Sequence, residues 1–177
     1  MTAVTVNRAP VLTLWAAVVA ERLGFAHDEA LTLGRAVAGL NAYSKGRSLG
    51  LFKPTPAGVR ARRAARARKA GVFRVELLHR AVPVRHTDDG LRAVARDDEP
   101  VEPASVQRYL ESKFGTALGP VAAAMIDLAA SRDPGDLAAE AYGLYERFRP
   151  EVPAGTRGWG AAGRLDTARI ESLATRH

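Results

Sequence analysis

The chain has 177 residues, of which 47% are hydrophobic and 25% are charged, so its composition is that of a globular protein with one domain or two small ones. It contains no cysteine, which excludes disulfides, thiolate catalysis and zinc sites with cysteine ligands. The formal net charge of +7 favours a polyanionic partner, either nucleic acid or an anionic membrane.

Two helices are predicted near the N-terminus. The first, over residues 10–23, carries apolar side chains at three- and four-residue spacing, which predicts one buried face. The second begins with Asp28 as its N-cap and runs to about Tyr43. Gly34 and Gly39 would allow another backbone to approach that helix closely. The apolar face of the first helix is formed by Val11, Leu14, Trp15, Val18 and Val19.

The connection between these helices has the residue pattern of a helix-turn-helix. A small residue lets the helices touch, a Leu-Gly-hydrophobic triplet makes the turn, and two spaced apolar positions follow in the second helix. Residues 19–33 therefore resemble the helix-turn-helix DNA-binding motif. The matching residues are Val19, Ala20, Leu23-Gly24-Phe25, Ala30 and Leu33.

The resemblance implies that the N-terminal end of the second helix would enter the major groove and read bases. That end carries His27, Asp28, Glu29 and Thr32. Because the two acids would repel phosphate, a purely structural helix pair is the alternative, with Asp28 and Glu29 complementing the helix dipole.

A long acid-free segment follows. No Asp or Glu occurs between Glu29 and Glu76, whereas eleven Lys or Arg residues do, so this segment holds the whole positive excess. A polyanion binds such charge because neutralising its phosphates releases condensed counterions. The predicted nucleic-acid contacts are Lys45, Arg47, Lys53, Arg60, Arg62, Arg63, Arg66, Arg68, Lys69 and Arg74.

Within this segment, residues 44–54 are predicted to form a loop whose backbone N–H groups and hydroxyls would hold a phosphate. The alternative is a plain connection with Gly46 as the helix C-cap. Thr55 and Pro56 then start a third helix that ends at about Lys69. Four of its cations fall within an arc of about 120°, so they would face phosphates while the alanine face rests on the protein. The four are Arg62, Arg63, Arg66 and Lys69.

The middle of the chain predicts β-structure. Residues 72–78 and 81–87 are rich in β-prone side chains, and Asp88-Asp89-Gly90 predicts a hairpin turn into a returning strand over residues 91–96. Pro83 predicts an edge position for its strand. Such a hairpin after a helix-turn-helix is called a wing in winged-helix proteins; the alternative is a small sheet that covers the core. The cations of a wing would be Arg85, His86, Arg92 and Arg96.

The acidic, proline-rich residues 97–103 predict a break between a basic domain, residues 1–96, and a helical bundle, residues 104–177. Alternatively, both parts pack as one domain. A flexible loop over residues 156–164 contains Trp159, which would stack on a base or ligand or else pack against the domain. The bundle helices are predicted over residues 104–114, 117–131, 135–149 and 166–173.

The predicted fold class is therefore mainly α, with helix-turn-helix-like N-terminal helices, a small β-hairpin in the middle and a C-terminal helical bundle. The chain carries no recognised catalytic or metal motif, so we expect a protein that is not an enzyme and has no catalytic residues, metal or cofactor. It has no apolar run of about 18 residues and no signal-peptide pattern, which favours a cytoplasmic protein, nucleoid-associated if it binds DNA.

The predicted partner is nucleic acid, with double-stranded DNA favoured over RNA and with weak sequence specificity. A membrane partner is disfavoured because the basic helix lacks the Trp, Phe and Leu face that an interfacial helix buries. The alternative function is a non-enzymatic scaffold that docks an acidic protein and forms a homo-oligomer through its C-terminal helices.

Overall fold

The computed structural model describes residues 3–48, 57–69, 71–95, 97–153 and 162–175. Within those ranges the chain is mainly α, in agreement with the predicted class. The helices are α1 (Arg8–Arg22), α2 (His27–Ser48), α3 (Ala57–Lys69), α4 (Pro103–Phe114), α5 (Leu118–Ala130), α6 (Pro134–Phe148) and α7 (Thr167–Ala174). The strands are β1 (Ala3–Asn7), β2 (Phe73–Leu77), β3 (Arg80–Thr87), β4 (Gly90–Ala93) and β5 (Ala162–Asp166).

Helix α1 lies at the centre of the molecule. Every residue from Pro10 to Ala20 is buried, and the helix packs against α2, α4, α5 and α6. The predicted single apolar face was too narrow, because the alanines between the larger side chains are buried as well. A helix that is apolar all round belongs inside a protein rather than on its surface.

The largest buried side chain of α1 is that of Trp15. Its Nε1 donates a hydrogen bond to the carbonyl oxygen of Ala141 in α6, at 2.9 Å. Its ring meets that of Phe148 edge-on, with 5.3 Å between centroids. A buried indole N–H needs an acceptor. The hydrogen bond therefore fixes where α6 lies against α1, in addition to the apolar contact.

Helices α1 and α2 come into close backbone contact at Gly34. A Cβ atom placed there would overlap the carbonyl oxygen of Thr13 and would lie 2.9 Å from the backbone nitrogen of Ala17. The prediction of close approach is therefore confirmed at Gly34. At Gly39 it is wrong, since a Cβ there would meet no atom within 4 Å.

The ends of α2 differ from the prediction. The helix begins at His27, so Asp28 lies in the first turn rather than at the cap, and Glu29 accepts a hydrogen bond from the backbone N–H of Ala26 instead. It continues to Ser48, so Gly46 is not its C-cap. A glycine inside a helix costs only about 1 kcal/mol relative to alanine, which good helix formers on either side can offset.

Strands β2, β3 and β4 form an antiparallel sheet in which β3 is the central strand. The edge position predicted from Pro83 is therefore wrong. The β3–β4 ladder ends where Val84 pairs with Ala93, so Pro83 lies beyond it and its missing N–H breaks no ladder bond with β4. The carbonyl oxygen of Pro83 still accepts a bond from Val94, at 3.0 Å.

A second sheet joins the two ends of the described chain. Strand β1 pairs antiparallel with β5, with Val4 opposite Leu165. The prediction of a loop over residues 156–164 is wrong for residues 162–164, which belong to β5, whereas Trp159 lies outside the described residues. Gly163 is needed there, because a Cβ would lie 2.7 Å from the carbonyl oxygen of Glu151.

One hydrophobic cluster runs through the described structure. It includes Leu33 of α2 and Val82 of β3 as well as Leu110, Leu128 and Leu144 of α4, α5 and α6. Buried side chains from both sides of residues 97–103 thus share a core, although the division into domains stays a prediction.

We predict that Gly34→Ala lowers the free energy of unfolding by about 1–3 kcal/mol, because the new methyl group forces α1 and α2 apart. Gly39→Ala is the matched control. It should be neutral or stabilising by up to about 1 kcal/mol, since that site is open and alanine is the better helix former. Urea unfolding followed by circular dichroism measures both; equal stability of the two variants would contradict the close crossing.

Candidate nucleic-acid interface

The acid-free segment, residues 30–75, extends from the first turn of α2 through α3 into β2. Its first part is structural, because Ala30, Leu33, Val37 and Ala38 are buried in the core. The cation of that part, Arg35, is exposed and lies over the ring of Tyr109, 4.7 Å from its centroid, so most of the segment's charge lies later.

Helix α3 carries six of the predicted contacts. The side chains of Arg62 and Arg63 are exposed. The backbones of the other four lie in the helix, and their side chains lie outside the described part. These four are Arg60, Arg66, Arg68 and Lys69.

The described alanines of α3 do not rest on the protein as predicted, because Ala57, Ala61 and Ala65 are all exposed. Val59 is half-buried and is the one large apolar side chain in the helix. Alanine side chains bury too little area to hold a helix firmly against a core. Both the alanine and the arginine positions that are described therefore face solvent.

Residues 44–48 of the predicted phosphate-binding loop belong to α2 instead, and residues 49–54 lie outside the described part. Lys45 and Arg47 lie in the last turns of α2, where backbone N–H groups of a helix interior are engaged within the helix. Their side chains lie outside the described part, as does the whole of Lys53. The prediction that backbone N–H groups hold a phosphate is thus wrong for residues 44–48.

Arg74 lies on β2 and is exposed. Its Nη1 is 3.5 Å from the carbonyl oxygen of Ala81, the limit of a hydrogen bond, so the guanidinium keeps most of its donors for a partner. Arg85 of the neighbouring strand β3 is half-buried. By strand alternation and register, Arg74 and Arg85 lie on the same face of the sheet.

The N-terminal end of α2, which the helix-turn-helix resemblance assigns to base reading, is attached to β4. The hydroxyl oxygen of Thr32 is buried, accepts a bond from the N–H of Ala93 at 3.1 Å and donates to the carbonyl of Glu29 at 2.9 Å. Thr32 therefore has no free group with which to read a base.

Glu29 completes this attachment. One carboxylate oxygen accepts from the N–H of Ala26 at 2.9 Å, and the other accepts from the N–H of Leu91 at 2.8 Å. These two backbone hydrogen bonds, with help from the nearby Arg92 and His86, hold the pKa of Glu29 below its ordinary value. The carboxylate thus joins the first turn of α2 to the hairpin.

Not all of the cations predicted for a wing are free to contact a partner. Arg92 is buried, and its guanidinium donates to the carbonyl oxygens of Leu91, at 2.9 Å, and Asp89, at 3.4 Å. That assignment is wrong, because the side chain folds back onto its own strand and turn. Arg85 is half-buried, His86 is exposed, and Arg96 lies outside the described residues.

One exposed residue of this region was not predicted from the sequence. Phe73 is 41% exposed. Strand alternation places it on the same face as Val75 and Leu77, so the pattern alone predicts a buried ring. Its exposure depends on which strands α2 covers, and no local signal carries that information.

No family model matches the chain, and no curated protein or solved structure is significantly similar to it. Among the described residues, no group of three or more His, Asp or Glu side chains is placed to hold a metal ion. The helices of that part of the chain are all too short or too polar to cross a membrane.

We predict that Glu29→Gln lowers the free energy of unfolding by roughly 1–2 kcal/mol, because the amide nitrogen of Gln would face one of the two N–H donors. Glu146→Gln, on the exposed surface of α6, is the control and should change little.

The cost of Glu29→Gln should depend on pH. Since the folded-state pKa lies below the unfolded value of about 4.3, the stabilisation is present above that value and is lost as pH falls through the folded pKa. The difference in stability between the native chain and Glu29→Gln should therefore shrink in acid. A difference that stays constant across the acid range in urea titrations would refute this role of the carboxylate.

Proposed function

We propose that the protein binds nucleic acid, with double-stranded DNA favoured, mainly through contacts to the phosphate backbone. The observation that carries the proposal is the acid-free segment with its eleven cations. Outside that segment the remaining fifteen Lys and Arg are outnumbered by nineteen Asp and Glu. The positive charge is therefore concentrated in one region, as binding to a polyanion requires.

Exposure of the described cations supports this proposal. Arg62 and Arg63 of α3 and Arg74 of β2 all face solvent. Like charges three and four residues apart repel each other within a helix, so the run of arginines in α3 weakens the helix when it is unbound. Phosphates would relieve that repulsion by neutralising the charge.

Weak sequence specificity is part of the proposal. Base edges are read by side chains that reach into a groove, whereas phosphate contacts carry no sequence information. The end of α2 that would enter the groove has Thr32 buried and Glu29 bound to two backbone N–H groups. We therefore assign α2 to the scaffold and the basic helix α3 to the phosphates.

The second candidate is a scaffold that docks an acidic protein, for which the same cations would serve. Ile126, which is 52% exposed on α5, offers an apolar point for association between copies. RNA, which carries the same phosphate charge, is the third candidate partner. We favour DNA and place the protein in the cytoplasm, associated with the nucleoid, with no membrane partner and no catalytic role.

We predict that replacing Arg62, Arg63, Arg66 and Lys69 together with alanine weakens binding to duplex DNA at least tenfold. Each lost phosphate contact removes the entropy gain of counterion release. Fluorescence anisotropy with a labelled duplex at low salt measures the change. Because the described side chains of this set are exposed, the variant should keep the native circular dichroism spectrum.

The control removes the same charge elsewhere, from four exposed cations outside the segment. They are Arg22, Arg108, Lys113 and Arg147. This variant should retain far more of the affinity than the α3 variant. Equal losses would mean that net charge alone governs binding, and undiminished binding by the α3 variant would refute the assignment to α3.

A further inference from the structure

Phe73 and His86 form a pair of exposed rings at the start of β2. Their ring centroids are 5.2 Å apart and the ring planes are inclined by 33°. Both side chains are exposed, and Phe73 is one of two large apolar side chains that the described part of the chain leaves in solvent. The pair therefore offers an aromatic surface that no other described side chain covers fully.

The exposure of Phe73 follows from the position of α2. That helix packs against β3 and β4, and the backbone N–H groups of Leu91 and Ala93 in β4 donate to Glu29 and Thr32. Strand β2 is the outer strand on the opposite side of the sheet. Phe73 pairs with the buried Val84 but lies at the margin of the covered face.

The chain that leads to the rings carries cations and no acid, whereas the carboxylate of Glu29, near His86, is bound by two backbone N–H groups. Phe73 comes four residues after Lys69, the last residue of α3, and the exposed Arg74 next to it lies on the opposite face of β2. The nearest acid along the strand is Glu76, which alternation places on the opposite face from Phe73. A nucleic-acid strand whose phosphates lie along α3 would thus reach the rings without crossing a carboxylate of this strand.

We propose that Phe73, with His86 beside it, stacks an unpaired base of a single-stranded nucleic acid whose backbone is held by the cations of α3. This inference rests on the proposed function and adds a ligand class to it, because the bases of an intact duplex are not open to such stacking. Aromatic rings beside a basic surface are the usual platform for single strands, and every base has a face that stacks. DNA and RNA share this chemistry.

The test compares Phe73→Leu with Phe73→Tyr. Leucine keeps an apolar side chain on the strand but removes the ring, whereas tyrosine keeps the ring. Oligo(dT) and oligo(U) of about 12 nucleotides, within the site sizes of single-strand binders, serve as probes in fluorescence anisotropy, and a duplex of the same length is the third probe. Ile126→Leu, at the other exposed apolar site, is the control.

We expect Phe73→Leu to weaken binding of at least one single-stranded probe by about 5- to 150-fold, the usual range for losing one stacked base. Phe73→Tyr and Ile126→Leu should bind it as the native chain does, and all variants should bind the duplex equally. Native single-strand affinity in Phe73→Leu, with duplex binding intact, would overturn this inference alone. Failure of the native chain to bind any probe at low salt would overturn the proposed function as well.

Discussion

The contact between α1 and α2 at Gly34 is the constraint on which the rest of the structure depends. Because Gly34 has no side chain, α2 lies directly on the backbone of α1 near Thr13. Helix α1 is then covered on its other sides by α4, α5 and α6, and α2 is free on its far side to hold the three-stranded sheet. It does so with polar side chains: Glu29 and Thr32 bind β4, and Asn41 accepts a bond from Arg80 at 2.9 Å.

This arrangement divides α2 into two parts with different roles. The N-terminal part carries Asp28 and Glu29, which suit the positive end of the helix dipole, and it is bound to the hairpin. The cations Lys45 and Arg47 come near the C-terminal end, where the dipole favours positive charge. The same helix thus positions the sheet and precedes the basic helix α3. Our proposal that α3 binds nucleic acid rests on its cations and on its scarcity of side chains that pack.

Local patterns predicted most of the helices, because apolar spacing, prolines and turn glycines act over a few residues. Gly24, for example, takes a positive φ of 112° at the end of α1. The pairing of β1 with β5 could not be predicted, since it joins segments more than 150 residues apart and depends on the whole fold. The central position of β3 and the burial of Arg92 also depend on which neighbours cover the sheet. For the candidate site, the distribution of charge along the sequence identified the acid-free segment. Only the packing shows that the hydroxyl of Thr32 is hydrogen-bonded to the backbone and that Phe73 is exposed.

The salt dependence of duplex DNA binding by the native chain tests the central claim most directly. If four cations of α3 each neutralise one phosphate, the logarithm of the binding constant should fall linearly with the logarithm of salt concentration, with a slope of about −3 to −4. A slope near zero, or no binding to duplex DNA at low salt, would contradict the claim that the acid-free segment is a phosphate-binding surface.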